Sequence, residues 1–139
     1  MHRFFINILF YSLITISVQA NELSKKEILN IQNVISSQLE AFQERNSEKA
    51  FSFASPFIKN QFQNPSIFMQ MVERYYDPVF NSASHTFAEI SSNQGYFTQE
   101  VLIIDINNQQ HAAIYSMIFI DDDWKIAGCY LKPAQENFI

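Results

Sequence analysis

The sequence is short of the residues from which most chemistry is built. Cysteine occurs once, at Cys129, so no disulfide can close within the chain. There are two glycines, Gly95 and Gly128, and neither a phosphate-cradling glycine loop nor a Gly-x-Ser-x-Gly turn can be made from them. Beyond residue 20 the only histidines are His85 and His111. With a single cysteine they cannot complete a Cys/His zinc set, and no metal or cofactor is expected. Basic residues are equally sparse, and Lys25-Lys26 is the only adjacent pair after residue 20. Binding a phosphate backbone takes clustered Lys and Arg, so nucleic acid is excluded as a partner.

What the chain does have is apolar. "MHRFFINILFYSLITISVQA" opens with Arg3, runs apolar from Phe4 to about Ile16 and ends Val18-x-Ala20. Charge, apolar segment and small-residue site in that order predict a signal peptide over 1–20, leaving one domain over 21–139. The alternative is an uncleaved anchor. A spanning helix takes about 20 apolar residues, and this run is shorter and broken by Asn7, Ser12 and Thr15. No cysteine follows Ala20 to carry a lipid. The expectation is an exported protein, periplasmic or secreted, with no membrane attachment after cleavage. Removing Arg3 from nine Lys and Arg leaves eight against fourteen Asp and Glu, a mature charge of −6.

The first half of the mature chain reads as helices. Ser24-Lys-Lys-Glu27 has the spacing of a capping box. Ile28, Ile31, Ile35, Leu39 and Phe42 then recur at steps of three and four, giving an amphipathic helix to about Glu44. Ser47 can cap a short second helix. Ser55-Pro56 and Asn64-Pro65 can each start another, since proline suits a first helical turn. Asp77-Pro78 closes this half.

The second half reads as strands. "SHTFAEIS", "YFTQEVLIIDI", "HAAIYSMIFI" and "WKIAGCYL" are separated by short Asn-, Gln- and Asp-rich connections. That pattern predicts a four-stranded antiparallel meander, and helices before strands make the chain α+β with the helices on one sheet face. Val101 and Ile103 alternate with Leu102, Ile104 and Ile106, and the third strand is apolar on both parities too. A sheet with one wet face alternates apolar with polar. Both faces are therefore covered, one by helices and the outer one by a second copy, which predicts a homodimer.

"QLEAFQ", "FASPFIKNQF", "PSIFMQMV", "YDPVF", "QEVLI" and "WKIAGC" follow one another in an order and spacing that resembles the domain of unknown function 4864 family. The resemblance runs from about Ile28 to Leu131. It implies an exported bacterial protein with an NTF2-like or cystatin-like cone, in which N-terminal helices pack on a curved four-stranded sheet around an apolar pocket. It supplies no catalytic residues. The sequence departs from the family's pattern at Tyr75, where a small residue is commoner, and in its glycine-poor turns. The NTF2-like superfamily holds isomerases, dehydratases and epoxide hydrolases beside non-catalytic subunits, so fold alone does not decide function.

Cys129 is the obvious nucleophile to test. With a three-residue loop at Asp121–Asp123, Ile120 faces Trp124 and Cys129 faces Tyr115. His111 then falls four residues along, about 13 Å away, and His85 three strands across, about 14 Å away. A thiol without a base in reach is a structural thiol. Glu100 and Asp105 have opposite parity, so they cannot form an acid–base pair on one face, and both read as solvated strand ends. Asp105-x-Asn107-x-Gln109 opens like a calcium loop but has Gln110 and Ser116 where that loop needs Gly and Glu. Asp121-Asp122-Asp123 is a polar hairpin tip. The aromatic and Met series remains, as core and as the wall of a pocket. The pocket residues expected are Phe53, Ser55, Phe57, Met71, Tyr75, Tyr76, Tyr115 and Cys129. The expected function is a non-catalytic binding module for a small apolar ligand or a protein partner. One alternative is a lyase, isomerase or hydrolase using a cone carboxylate or Tyr115. Another is a structural dimer with a filled cone.

Overall fold

A computed structural model describes residues 22–133. The expected signal peptide lies outside the described residues. Among the described residues no helix is long and apolar enough to cross a membrane. Five helices, α1 (Lys25–Gln43), α2 (Ser47–Ser52), α3 (Pro56–Phe62), α4 (Pro65–Tyr75) and α5 (Asp77–Phe80), precede four strands. These are β1 (Ser82–Asn93), β2 (Tyr96–Asp105), β3 (Gln110–Ile120) and β4 (Asp123–Leu131). The strands form one antiparallel sheet in the order β1-β2-β3-β4. The chain is thus α+β, its helices followed by a curved four-stranded meander.

Local chemistry sets the helix starts. Ser24 Oγ accepts from Glu27 N–H at 3.2 Å while Glu27 Oε2 accepts from Ser24 N–H at 2.7 Å. Two of the four unpaired N–H groups at that end are thereby satisfied. Asn46, Ser55 and Asn64 cap α2, α3 and α4, and Pro56 and Pro65 occupy first turns where a missing N–H costs nothing. The stripe of α1, with Ile31, Ile35, Leu39 and Phe42 all but fully buried, lies on the inner sheet face against Val101, Ile103, Tyr115 and Met117. Burying each such side chain stabilises the fold by about 1.5–3 kcal/mol.

Register is where the sheet departs from the simplest reading. The β3–β4 connection is a two-residue turn, with Asp121 and Asp122 at φ 54° and 60°, not the expected three-residue loop. Trp124 therefore faces Phe119 rather than Ile120. A bulge at Ala127 then restores one residue, so Cys129 still pairs with Tyr115. The expected neighbour was reached through two shifts that cancel. In β2 and β3 nothing cancels. Tyr115 pairs with Gln99, and His85 and His111 both flank Ile103, so neither histidine shares a row with Cys129.

The bulges have visible compensations. Between Phe87 and Ile90 the β1–β2 register slips, and the buried Gln99 carboxamide donates to Ala88 O, Glu89 O and Glu100 O at 3.1, 3.3 and 2.8 Å. Carbonyls freed by the bulge thus find a partner. At the other edge Ile126 N–H donates to Phe53 O at 2.9 Å and Ser55 N–H donates to Ile126 O at 2.8 Å. Ala54 bridges Ile126 in parallel, so the rim of β4 is covered rather than left open to another chain.

Candidate functional site

Where α1, α3 and α4 meet the β3–β4 half of the sheet they leave a cleft of about 240 Å³. Its aromatic wall is organised around Phe68, whose ring centroid lies 6.2 Å from that of Phe42 and 5.9 Å from that of Phe62. Tyr115, Ile126, Gly128 and Cys129 line the sheet side, and Phe57, Met71 and Tyr76 the helix side. Among the described residues the rest of the lining is apolar or carboxamide, Gln38 and Gln61 being the carboxamides, and none of it is charged.

The sequence-expected pocket residues divide. Phe57, Met71, Tyr76, Tyr115 and Cys129 line the cleft. Phe53 packs against the core, and its carbonyl is taken by Ile126. Ser55 is engaged on both sides, its Oγ capping α3 and its N–H bonded to β4. Tyr75 is 67% exposed and lies outside the cleft, in a shallow depression shared with Tyr76 and Tyr130. Sequence reasoning missed Gln38, Gln61 and Phe42. Phe42 was legible as part of the α1 stripe but not as facing open space.

Three polar groups define the floor. Tyr76 Oη donates to Cys129 O at 3.1 Å, on the edge of β4 that no strand pairs. Tyr115 is 1% exposed, and its hydroxyl has no hydrogen-bond partner. The Cys129 thiol lies beside that hydroxyl, but sulfur is a weak acceptor and the pair does not reach hydrogen-bond geometry. Burial pushes the Cys129 thiol up to about 12, with the Tyr115 hydroxyl pulling slightly the other way. The residue keeps some access through the cleft, yet protein rings its sulfur and a thiolate there would lose nearly all its water. Burial first and the neighbouring Cys129 second raise both tyrosines, Tyr115 strongly. All three groups are protonated at neutral pH. None of the three acts as a base at that pH.

The carboxylates stand elsewhere. Glu100 faces the outer side and pairs with Lys132 Nζ at 2.9 Å. Asp105 faces inward and is 6% exposed, where a solvated strand end was expected. Its Oδ1 accepts from Asn107 N–H and Gln109 N–H at 2.8 and 3.0 Å, and its Oδ2 meets His111 Nε2 at 2.8 Å. Its own turn shields it, not depth in the protein, so little desolvation opposes these bonds. The Gln109 N–H, then His111, hold its carboxyl below the usual range. Asp105 is a fixed anion staking the β2–β3 turn. Among the described residues no three His, Cys, Asp or Glu side chains gather as a metal site.

One further pair was not anticipated. Ser36 Oγ and His85 Nε2 are 2.8 Å apart, joining α1 to β1. Burial lowers the His85 pKa, so the ring is neutral at pH 7. It meets Phe87 edge-on at 5.3 Å, and among the described residues no carboxylate orients it. Neither residue lines the cleft. The pair fastens helix to strand; a nucleophile would need a supported base and a substrate site beside it.

Comparison with known proteins gives one finding. The family model described as "Domain of unknown function (DUF4864)" matches residues 24–139. Among curated proteins none matches the chain.

Proposed function

The chain belongs to the DUF4864 family of domains of unknown function, and from that premise we propose that it is an exported, non-catalytic binding protein that holds a small apolar ligand in its cleft. The observation that carries this reading is the cleft itself, about 240 Å³ with aromatic walls and no charged side chain among its described lining residues. Ligand sites are mostly apolar concavities with a few polar groups, which is its composition. An NTF2-like arrangement, with helices closing one end of a curved sheet, accounts for where the cleft lies.

The catalytic alternative has little to work with. Glu100 and Asp105 lie outside the cleft, and Tyr115 and Cys129 are both held protonated. An open cleft also counts against a filled cone. The homodimer reading rests on the outer sheet face, where Leu102 and Tyr130 are about half exposed beside Ile104, Ile114 and Ile118. The Glu100–Lys132 pair puts both charge signs on that face, so it can meet a twofold copy of itself.

The test is native mass spectrometry of the mature protein taken from its own exported compartment, together with an NMR titration using toluene. Retained extra mass, or toluene-dependent shifts confined to Met71, Tyr115 and their neighbours, supports the reading. A clean mass with no shift up to the solubility of toluene overturns it.

A further inference from the structure

We propose that the cleft selects neutral ligands carrying a hydrogen-bond acceptor, a carbonyl or ether oxygen on a ring-sized apolar body, and that Tyr115 Oη is the donor that reads it. This rests on the binding reading above and narrows it.

The argument starts from an accounting of hydroxyl protons. Two tyrosines line the cleft. Tyr76 donates its proton to Cys129 O at 3.1 Å, whereas Tyr115 is 1% exposed and its hydroxyl has no partner in hydrogen-bond geometry, with only the weakly accepting Cys129 sulfur beside it. Buried polar groups in folded proteins nearly always have a partner, and an orphan calls for an explanation. A bound acceptor supplies one. The Tyr115 oxygen is closed off from water in the empty cleft, so the ligand's oxygen reaches it by displacing a wall side chain. Rotamer changes of that kind are common on binding, and the unbranched Met71 on the wall is suited to them.

Charge and size narrow the class. A carboxylate or ammonium ligand would find no counter-ion among the described lining residues, and an unpaired buried charge is costly. A carbonyl or ether oxygen is satisfied by acceptance alone. An apolar cavity of about 150 Å³ admits benzene. The cleft here, about 240 Å³, has room for a ring with a substituent of two or three heavy atoms.

Acetophenone, its hydrocarbon isostere 2-phenylpropene, and benzoate make the test. Each is titrated against the native protein and Tyr115→Phe, which keeps the shape of the ring. The two neutral probes are expected to bind the native protein. Their affinity ratio, acetophenone over hydrocarbon, should fall about fivefold in Tyr115→Phe, one ordinary hydrogen bond. The carbonyl stretch of bound acetophenone should lie at lower wavenumber in the native protein than in the variant. Benzoate should not bind. If both neutral probes bind and neither the ratio nor the stretch changes, binding stands and the assignment of Tyr115 is overturned. Benzoate binding as tightly as acetophenone overturns the neutral class. If no probe binds up to its solubility, this inference and the binding reading fall together.

Discussion

Alkylation and disulfide exchange at Cys129 test the floor of the cleft directly, because a single cysteine makes the signal unambiguous. The perturbation is a neutral disulfide, 4,4′-dithiodipyridine, added to the native protein at pH 8, with the urea-unfolded chain as reference. Burial moves the thiol from 9.0 to about 12, three units, so about a thousandfold less thiolate is present at a given pH. A more basic thiolate is also the better nucleophile. With a Brønsted coefficient of about 0.4–0.5, three units return roughly 15- to 30-fold. The net expectation is exchange about 30- to 60-fold slower than in the unfolded chain, and slower still where the walls obstruct the reagent. Global unfolding does not bypass this route. At an ordinary stability of about 5 kcal/mol or more the open fraction is about 10⁻⁴ or less. The pH profile gives a second reading: the logarithm of the native rate should climb with unit slope through pH 10, while the reference levels off near its own pKa. A native rate within a few-fold of the unfolded one, or a plateau below pH 9, would refute the buried-thiol argument and return Cys129 to the list of nucleophiles.

Four other outcomes are expected. Tyr115→Phe should raise the urea stability of the ligand-free protein by about 1 kcal/mol, since it removes a buried hydroxyl that has no partner; a loss of stability would show that the hydroxyl is satisfied. Replacing Asp121-Asp122 by Asn-Gly should raise the urea midpoint by an amount worth about 1 kcal/mol, because both positions have positive φ in a two-residue turn; a lower midpoint would return the hairpin to a three-residue loop. Acid should destabilise the protein in two windows read from urea midpoints against pH. His85, its pKa lowered from 6.5 by burial, contributes stability that is full above 6.5 and lost as pH falls below it. Asp105, lowered from 3.8, contributes stability that is full above 3.8 and lost below it. His85→Gln should flatten the upper window and Asp105→Asn the lower, and a profile unchanged by either would sink the assignment. Light scattering on residues 21–139 should give a dimer that Leu102→Glu converts to a folded monomer; a native monomer at micromolar concentration would refute the outer-face contact.

How much of this was legible in the sequence depended on how local its cause was. Ser24 with Glu27, Pro56 and Pro65 act within one helical turn, so α1, α3 and α4 start where their spacing puts them. The strands were equally plain as β-rich runs separated by short polar connections. Register was not, because a bulge is decided across strands. The slip between Phe87 and Ile90 is stable because Gln99, in the neighbouring strand, caps the carbonyls that it frees. Nothing near residue 88 announces that. The same holds for Ala127, whose extra residue sits where Phe53 and Ser55 grip Ile126 from outside the sheet. Asp105 read as a solvated strand end because the two backbone donors and the imidazole that enclose it arrive only when the turn closes. The cleft was half legible. Phe57, Met71 and Tyr76 could be named as wall candidates, but whether an aromatic stripe meets another stripe or open space depends on how three short helices settle against the sheet.

That open space bears on function through its cost. A sealed, empty cavity of this size would forfeit about 6 kcal/mol at roughly 24 cal/mol per Å³, of the order of a small domain's whole stability. Opening to solvent reduces that figure, since water can enter an open cleft. The orphan hydroxyl of Tyr115 adds to it, and phenylalanine at the same position would remove that part without disturbing the ring. Two independent costs thus fall at one place, and a ligand that fills the cleft and accepts from Tyr115 relieves both. A packing defect alone predicts that Tyr115→Phe raises stability and does nothing else. A binding site predicts that the same substitution raises the stability of the empty protein while lowering its preference for acceptor-bearing ligands. Opposite movement of those two readouts in one variant is the signature that separates a site from a flaw.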